Sequence, residues 1–231
     1  MRLKFVLALL PFLGAAQPAS TELYQIVFLR PDPARKPVTK EEGERIQTAH
    51  MANINAMAER GVLVAAGPFD DKQHTIGGVF IFKTASNEEA MRVASEDPTV
   101  VEHRNKLDVL AWRGPKGIGE EYKRLHKEDP KTPVGMGVQP FYLLHRTAEW
   151  KDGAPLLKDH AAYVAELRAK GKLAAAGPVQ GDSSVAGVLI FDRIPDDEAA
   201  QLAAADPAVK AGLLRVESHR WWCAANVLPR P

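Results

Sequence analysis

Gly61-Val62-Leu63-Val64-Ala65-Ala66-Gly67-Pro68 returns 110 residues later as Gly171-Lys172-Leu173-Ala174-Ala175-Ala176-Gly177-Pro178. The agreement extends outward in both directions. Upstream, His50 is matched by His160. Downstream, Gly78, Asp97-Pro98 and Trp112 are matched by Gly187, Asp206-Pro207 and Trp221 at an offset of 109. One deletion in a loop accounts for the change of offset. So many spaced agreements do not arise by chance, and the chain is read as two copies of one unit. Copy one spans residues 21–114 and copy two 138–229. Residues 115–137, rich in glycine and proline at their ends and charged in the middle, form a linker. Their charged part, 120–127, suits a short surface helix on a solvated tether.

Each copy reads as strand, helix, strand, strand, helix, strand. Residues 24–29 and 141–144 are short apolar runs of strand formers. Residues 41–60 and 155–170 carry apolar residues at helical spacing: Ile46, His50, Ile54 and Met57 in copy one, and Leu156, His160, Val164 and Leu167 in copy two. Gly61 and Gly171 follow, where a helix ends on a left-handed residue. Strands at 62–66 and 173–176 stop at Gly-Pro, because proline cannot donate to a ladder. Third strands fall at 77–83 and 186–192, second helices start near Asn87 and Pro195, and last strands fall at 107–112 and 216–222. This βαββαβ order is the ferredoxin-like unit, an α+β fold with two helices on one sheet face. The bare sheet face needs cover, and the other copy supplies it at high effective concentration. The two sheets are therefore predicted to pack together as an intrachain pseudo-dimer, with further self-association left open.

A helix His, then Gly, then Ala-Gly-Pro, then Asp-Pro, then an aromatic residue in the last strand resembles the YCII-related family, over nearly the whole of both copies. The resemblance implies ferredoxin-like domains of the dimeric α+β barrel group. It also implies a His–Asp site in each copy, His50 with Asp97 and His160 with Asp206. It does not imply a reaction.

The residues themselves leave the roles open. His50 and His160 lie on core-facing stripes, so each is either a hydrogen-bonded core histidine or an acid or base lining a pocket. Asp97 and Asp206 before proline suit helix N-caps. One carboxylate oxygen can cap while the other orients the imidazole. A pair so arranged suits proton transfer, isomerisation or elimination on a small organic acid, aromatic or unsaturated. The alternative is a small-ligand-binding module with no chemistry.

Other candidates are weaker. His103 is matched by Gly212 and reads either as a second site histidine gained by copy one or as a surface substitution. A metal held by His74, His50 and His103 would draw ligands from distant loops with no spacing motif, so neither metal nor cofactor is expected. Arg30 and Arg146, after the first strands, would either meet an anionic ligand or be solvated. His126, His145 and His219 have no partner in the repeat and read as exposed or structural. Trp112, Trp221 and Trp222 are expected to fill the core or the seam between copies. Cys223 is expected to be a buried apolar residue.

Thirty Lys and Arg against 29 Asp and Glu give +1, which offers nucleic acid no electrostatic footprint. One cysteine excludes an intrachain disulfide. Residues 1–16 have a basic start, an apolar middle and small residues before a cut after Ala16, the layout of a secretory signal peptide. Cleavage there removes Arg2 and Lys4 and leaves 28 basic against 29 acidic residues. A soluble periplasmic or secreted protein is expected, with no membrane span after the cut.

Overall fold

The structure, a computed structural model, describes residues 20–70, 75–129, 135–151 and 155–230. Copy one runs β1 (Thr21–Pro31), α1 (Lys40–Glu59), β2 (Leu63–Pro68), β3 (Gly78–Phe82), α2 (Asn87–Ala94), α3 (Pro98–Val101) and β4 (Asn105–Pro115). After α4 (Glu120–Glu128), copy two runs β5 (Met136–Arg146), α5 (Leu156–Ala169), β6 (Leu173–Gln180), β7 (Val185–Phe191), α6 (Asp196–Ala205), α7 (Pro207–Lys210) and β8 (Leu214–Ala224). The expected signal peptide and His74 lie outside the described residues. Among those described, no helix is long and apolar enough to cross a membrane.

Local chemistry sets the element ends. Thr39 caps α1 by accepting the Glu42 N–H at 3.2 Å. Ser86 caps α2, and the Glu89 carboxylate bonds back to the Ala85 N–H, a capping-box arrangement displaced by one residue. α1 and α5 end alike. Gly61 (φ 76°) and Gly171 (φ 68°) take the left-handed step, and the next residues, Val62 and Lys172, donate back to the Met57 and Leu167 carbonyls. That is the paired closure of a Schellman ending.

All strand pairing is antiparallel, in the order β2-β3-β1-β4-β6-β7-β5-β8. The sheets of the two copies do more than face each other: their edges join. On one side β4 pairs with β6 through Ala111–Gln180 and Trp112–Val179. On the other side Phe69 bridges Trp221, and the Asp70 N–H donates to the Arg220 carbonyl at 2.8 Å. The repeat maps each of these pairs onto the other, so one pseudo-twofold junction is used twice and the sheet closes into a barrel.

The motif glycines make the junctions possible. A Cβ at Gly67 would lie 2.0 Å from the Trp222 carbonyl oxygen, and one at Gly177 would lie 1.9 Å from that of Arg113. Only glycine lets the last strand of the other copy approach so closely.

Side chains alternate across each strand. Tyr24, Ile26 and Phe28 of β1 point into the barrel, where they meet Phe141, Trp112 and Trp221 in a core shared by both copies. Val27 and Leu29 point the other way and pack with Met57, Phe80 and Val93 under the copy-one helices. Tyr142 and Leu144 do the same with Leu167 and Phe191 in copy two. Trp222 departs from expectation and is 47% exposed. Its neighbour Trp221 faces inward, so the strand alternation turns Trp222 out. Cys223 is buried as expected, and burial pushes its thiol up to about 12.

The segment between copies is not a plain tether. Ile118 is buried, its N–H donates to the Tyr24 hydroxyl at 3.3 Å, and the Gly119 N–H donates to the Val227 carbonyl at 2.7 Å. Residues 115–118 have the same form as 224–227. Gly117 (φ 97°) and Asn226 (φ 62°) make the same left-handed step, and buried Ile118 and Val227 follow. The repeat unit thus includes a short strap beyond its last strand.

Candidate functional site

The fold brings each histidine to its aspartate. His50, on α1, places Nδ1 2.9 Å from Oδ1 and 2.8 Å from Oδ2 of Asp97. His160, on α5, places Nδ1 2.6 Å from Oδ2 of Asp206. Both aspartates are also N-caps, as their Asp-Pro sequence predicts. Asp97 Oδ1 accepts the Thr99 N–H at 2.9 Å, and Asp206 Oδ1 accepts the Ala208 N–H at 2.8 Å. The carboxylates are buried, at 0% and 1% side-chain exposure, while the imidazoles reach the surface at 15% and 23%. Capping and orienting are therefore done by one group. With Nδ1 donating to the carboxylate, Nε2 carries the lone pair.

The two sites differ in their supports. Asp97 also accepts from the Asn53 side chain at 3.0 Å and from the Thr99 hydroxyl at 2.6 Å, and Asn105 donates to that hydroxyl at 3.0 Å. At the equivalent positions copy two has Tyr163, Ala208 and Leu214, and the Tyr163 hydroxyl turns away to the Leu202 carbonyl at 2.9 Å. The His50 ring stacks on Phe80 with centroids 5.9 Å apart, where copy two has Leu189. Burial would raise the Asp97 carboxyl. Hydrogen bonds from His50, Thr99 and Asn53, with the charge of His50, outweigh it and hold Asp97 below its ordinary value of 3.8.

The remaining candidates fall elsewhere. His103 is exposed at a left-handed position (φ 51°), where its counterpart Gly212 has φ 72°. Among the described residues no three or more His, Cys, Asp or Glu side chains converge as metal ligands. Arg30 pairs with Asp108 at 3.3 Å and lies over the Phe28 ring. Arg146 donates to the Ser183 carbonyl and lies over Trp150. His126 stacks on Tyr122.

Sequence reasoning missed a third carboxylate–imidazole group. Glu217 lies 2.9 Å from His219 Nε2 and 2.7 Å from His145 Nε2. His219 is buried against the Phe69 ring, 4.8 Å between centroids. Burial would raise the Glu217 carboxyl, but the two imidazoles beside it bring it below the ordinary range. The available signal was the two-residue step from Glu217 to His219, which puts both on one strand face.

Two solved structures share the architecture. A haem-binding protein from Thermus thermophilus is 15% identical, with 88% of this chain and 93% of that one covered at a TM-score of 0.51. A candidate chlorite dismutase is 10% identical, with 90% and 96% covered at 0.53. At such identities the likeness is one of fold. Among curated proteins none matches in sequence. The YCII-related domain matches residues 26–113 and again 141–221, so the chain belongs to the YCII-related family and carries its domain twice in tandem.

Proposed function

We propose that each copy is an acid–base site for a small organic substrate, with His50 and His160 as proton carriers and Asp97 and Asp206 as their orienting anions. The observation that carries this reading is the pairing of each Nδ1 with a buried carboxylate, which leaves Nε2 of a partly exposed ring as the reactive nitrogen. Nε2 takes a proton from a carbon beside a carbonyl or carboxylate. The imidazolium formed is stabilised by the adjacent anion, and the proton is then returned to another carbon, for isomerisation, or to a leaving group, for elimination. The depressed Asp97 keeps its charge through neutral pH, as the step requires. A small organic acid, aromatic or unsaturated, whose C–H is activated by a neighbouring carbonyl or double bond is the substrate class this chemistry suits. The signal-peptide layout of residues 1–16 supports export, and export would place this chemistry outside the cytoplasm.

Deuterium exchange tests the proposal without a known substrate. Small unsaturated and aromatic acids are incubated with protein in D2O and read by NMR. The wild type should exchange an activated C–H, and His50→Ala with His160→Ala should slow that exchange by about 10²–10⁴-fold while far-UV circular dichroism stays unchanged. Equal exchange in the double variant would reject the acid–base role. Saturable binding of an acid with no exchange in the wild type would favour the ligand-binding module. The single variants, compared with each other, report whether the better-supported copy-one site is the faster one.

A further inference from the structure

Asn105 opens β4, and its side chain reaches His50 through two intermediaries. Its amide N–H donates to the Thr99 hydroxyl at 3.0 Å. A hydroxyl that accepts in this way has its own proton to give, and Thr99 gives it to Asp97 Oδ1 at 2.6 Å. The Thr99 backbone N–H meets the same oxygen at 2.9 Å, and the Asn53 amide meets Oδ2 at 3.0 Å. So braced, the carboxylate turns both oxygens to His50 Nδ1, Oδ1 at 2.9 Å and Oδ2 at 2.8 Å. In copy two the carboxylate is divided between two tasks: Oδ1 takes the Ala208 N–H at 2.8 Å and Oδ2 takes His160 Nδ1 at 2.6 Å. Ala208 and Leu214 stand in the places of Thr99 and Asn105 and have no side-chain donor. Burial does not account for the difference, since the two aspartates are equally buried.

We propose that Asn105 is a positioning residue of the copy-one site: it fixes the direction of the Thr99 hydroxyl, through it the plane of the Asp97 carboxylate, and so the ring of His50. Thr99 has one hydroxyl proton, and the group beside the hydroxyl decides where that proton points. With a donor at residue 105 the proton goes to Asp97. Without one, the hydroxyl is free to turn its proton elsewhere and to present a lone pair to the carboxylate, which repels it. Asp97 then loses its shortest hydrogen bond, a charge-assisted one, and turns more freely about Cβ–Cγ. Only the consequence for rate rests on the acid–base reading: there, a ring held in one orientation keeps Nε2 on the line of proton transfer.

Proton NMR of the full chain, labelled with 15N in its histidines, reads the Nδ1–H of each ring by its exchange with water. Asn105→Leu gives copy one the residue that copy two carries at this position. It should speed exchange at His50 by about fivefold, the worth of one hydrogen bond, and leave His160 unmoved. Thr99→Val, which removes the hydroxyl and keeps the shape, should do at least as much. Thr99→Ser, which keeps the hydroxyl, should hold the wild-type rate. Because the relay runs in series, Asn105→Leu added to Thr99→Val should add nothing further. An unchanged His50 signal in folded Asn105→Leu, a further gain in the double variant, or equal acceleration at His160 overturns the proposal. Asn105→Ala takes the place of Asn105→Leu if leucine does not fit. Where the wild type exchanges an activated acid in D2O, Asn105→Leu should slow that exchange severalfold. If the wild type exchanges none, the acid–base reading fails, and the ring signal alone decides the positioning role.

Discussion

Alanine at Gly177 is expected to destabilise the protein by about 4 kcal/mol or to leave it insoluble, and alanine at Gly67 should do the same. The added Cβ would sit 1.9 Å from the Arg113 carbonyl oxygen in one case and 2.0 Å from that of Trp222 in the other. Overpacked cores usually relax by moving side chains, at a cost of about 1–3 kcal/mol. Here the obstacle is backbone that belongs to the strand pairing of the other copy, so relief requires opening a barrel junction. The same substitution elsewhere should behave differently. At Gly171 nothing lies within 4 Å of the added Cβ, but φ is 68°, and the left-handed residue costs about 1–2 kcal/mol. At Gly43, inside α1, the new methyl meets only Val38 at 3.9 Å, and the gain in helix propensity should stabilise by up to about 1 kcal/mol. Urea unfolding of the three types of variant checks the order. A Gly177→Ala protein as stable as Gly43→Ala would mean that the copies do not join at that edge.

This contrast marks what the sequence could and could not reveal. Glycine, proline and Asp-Pro are position-specific, because each answers a backbone demand that few other residues meet. Their recurrence made the repeat, the element order and the two His–Asp pairs legible. Apolar runs stop before ladders do, so they understate the strand ends. Glu22 and Arg30 are polar, yet both pair with β4, opposite Gly114 and Lys106. The demand behind Gly67 and Gly177 was visible only as a strand end, since the carbonyl that forbids a Cβ comes from the other copy. In sequence the strap at 115–118 reads as linker because its likeness to 224–227 lies in backbone dihedrals and burial rather than in residue identity. Gly117 and Asn226 share a left-handed φ and no side chain.

The supports of Asp97 belong to the same class of hidden feature. Asn53, Thr99 and Asn105 are ordinary polar residues in sequence, and they differ from their counterparts in copy two. Only the fold gathers them on one carboxylate. Asp206 takes the Ala208 N–H and the His160 Nδ1–H with no such additional donors. In copy one the additional donors hold the Asp97 carboxylate in one orientation.

Asp97→Ala is expected to cost about 3–5 kcal/mol, because it leaves the His50 Nδ1–H, the Asn53 amide and the Thr99 N–H and hydroxyl without their acceptor at a buried position. Asp206→Ala should cost less, about 2–3 kcal/mol, since only the Ala208 N–H and His160 lose a partner there. Asp97→Asn is no rescue: its Oδ1 can still take the Thr99 N–H, but its amide NH2 would face the Asn53 and His50 donors. The sign of the pH dependence follows from the lowered Asp97 carboxyl. A carboxylate held below its unfolded value stabilises the fold fully above that value, about pH 4, and the contribution disappears as pH falls through the lower folded value. The gap in unfolding free energy between wild type and Asp97→Ala should therefore be widest near neutrality, begin to close below about pH 4, and go on closing as pH falls further. Urea unfolding at a series of pH values measures it. A gap that stays constant down to strong acid would mean that Asp97 acts through packing, and that its charge does not hold the His50 ring in place.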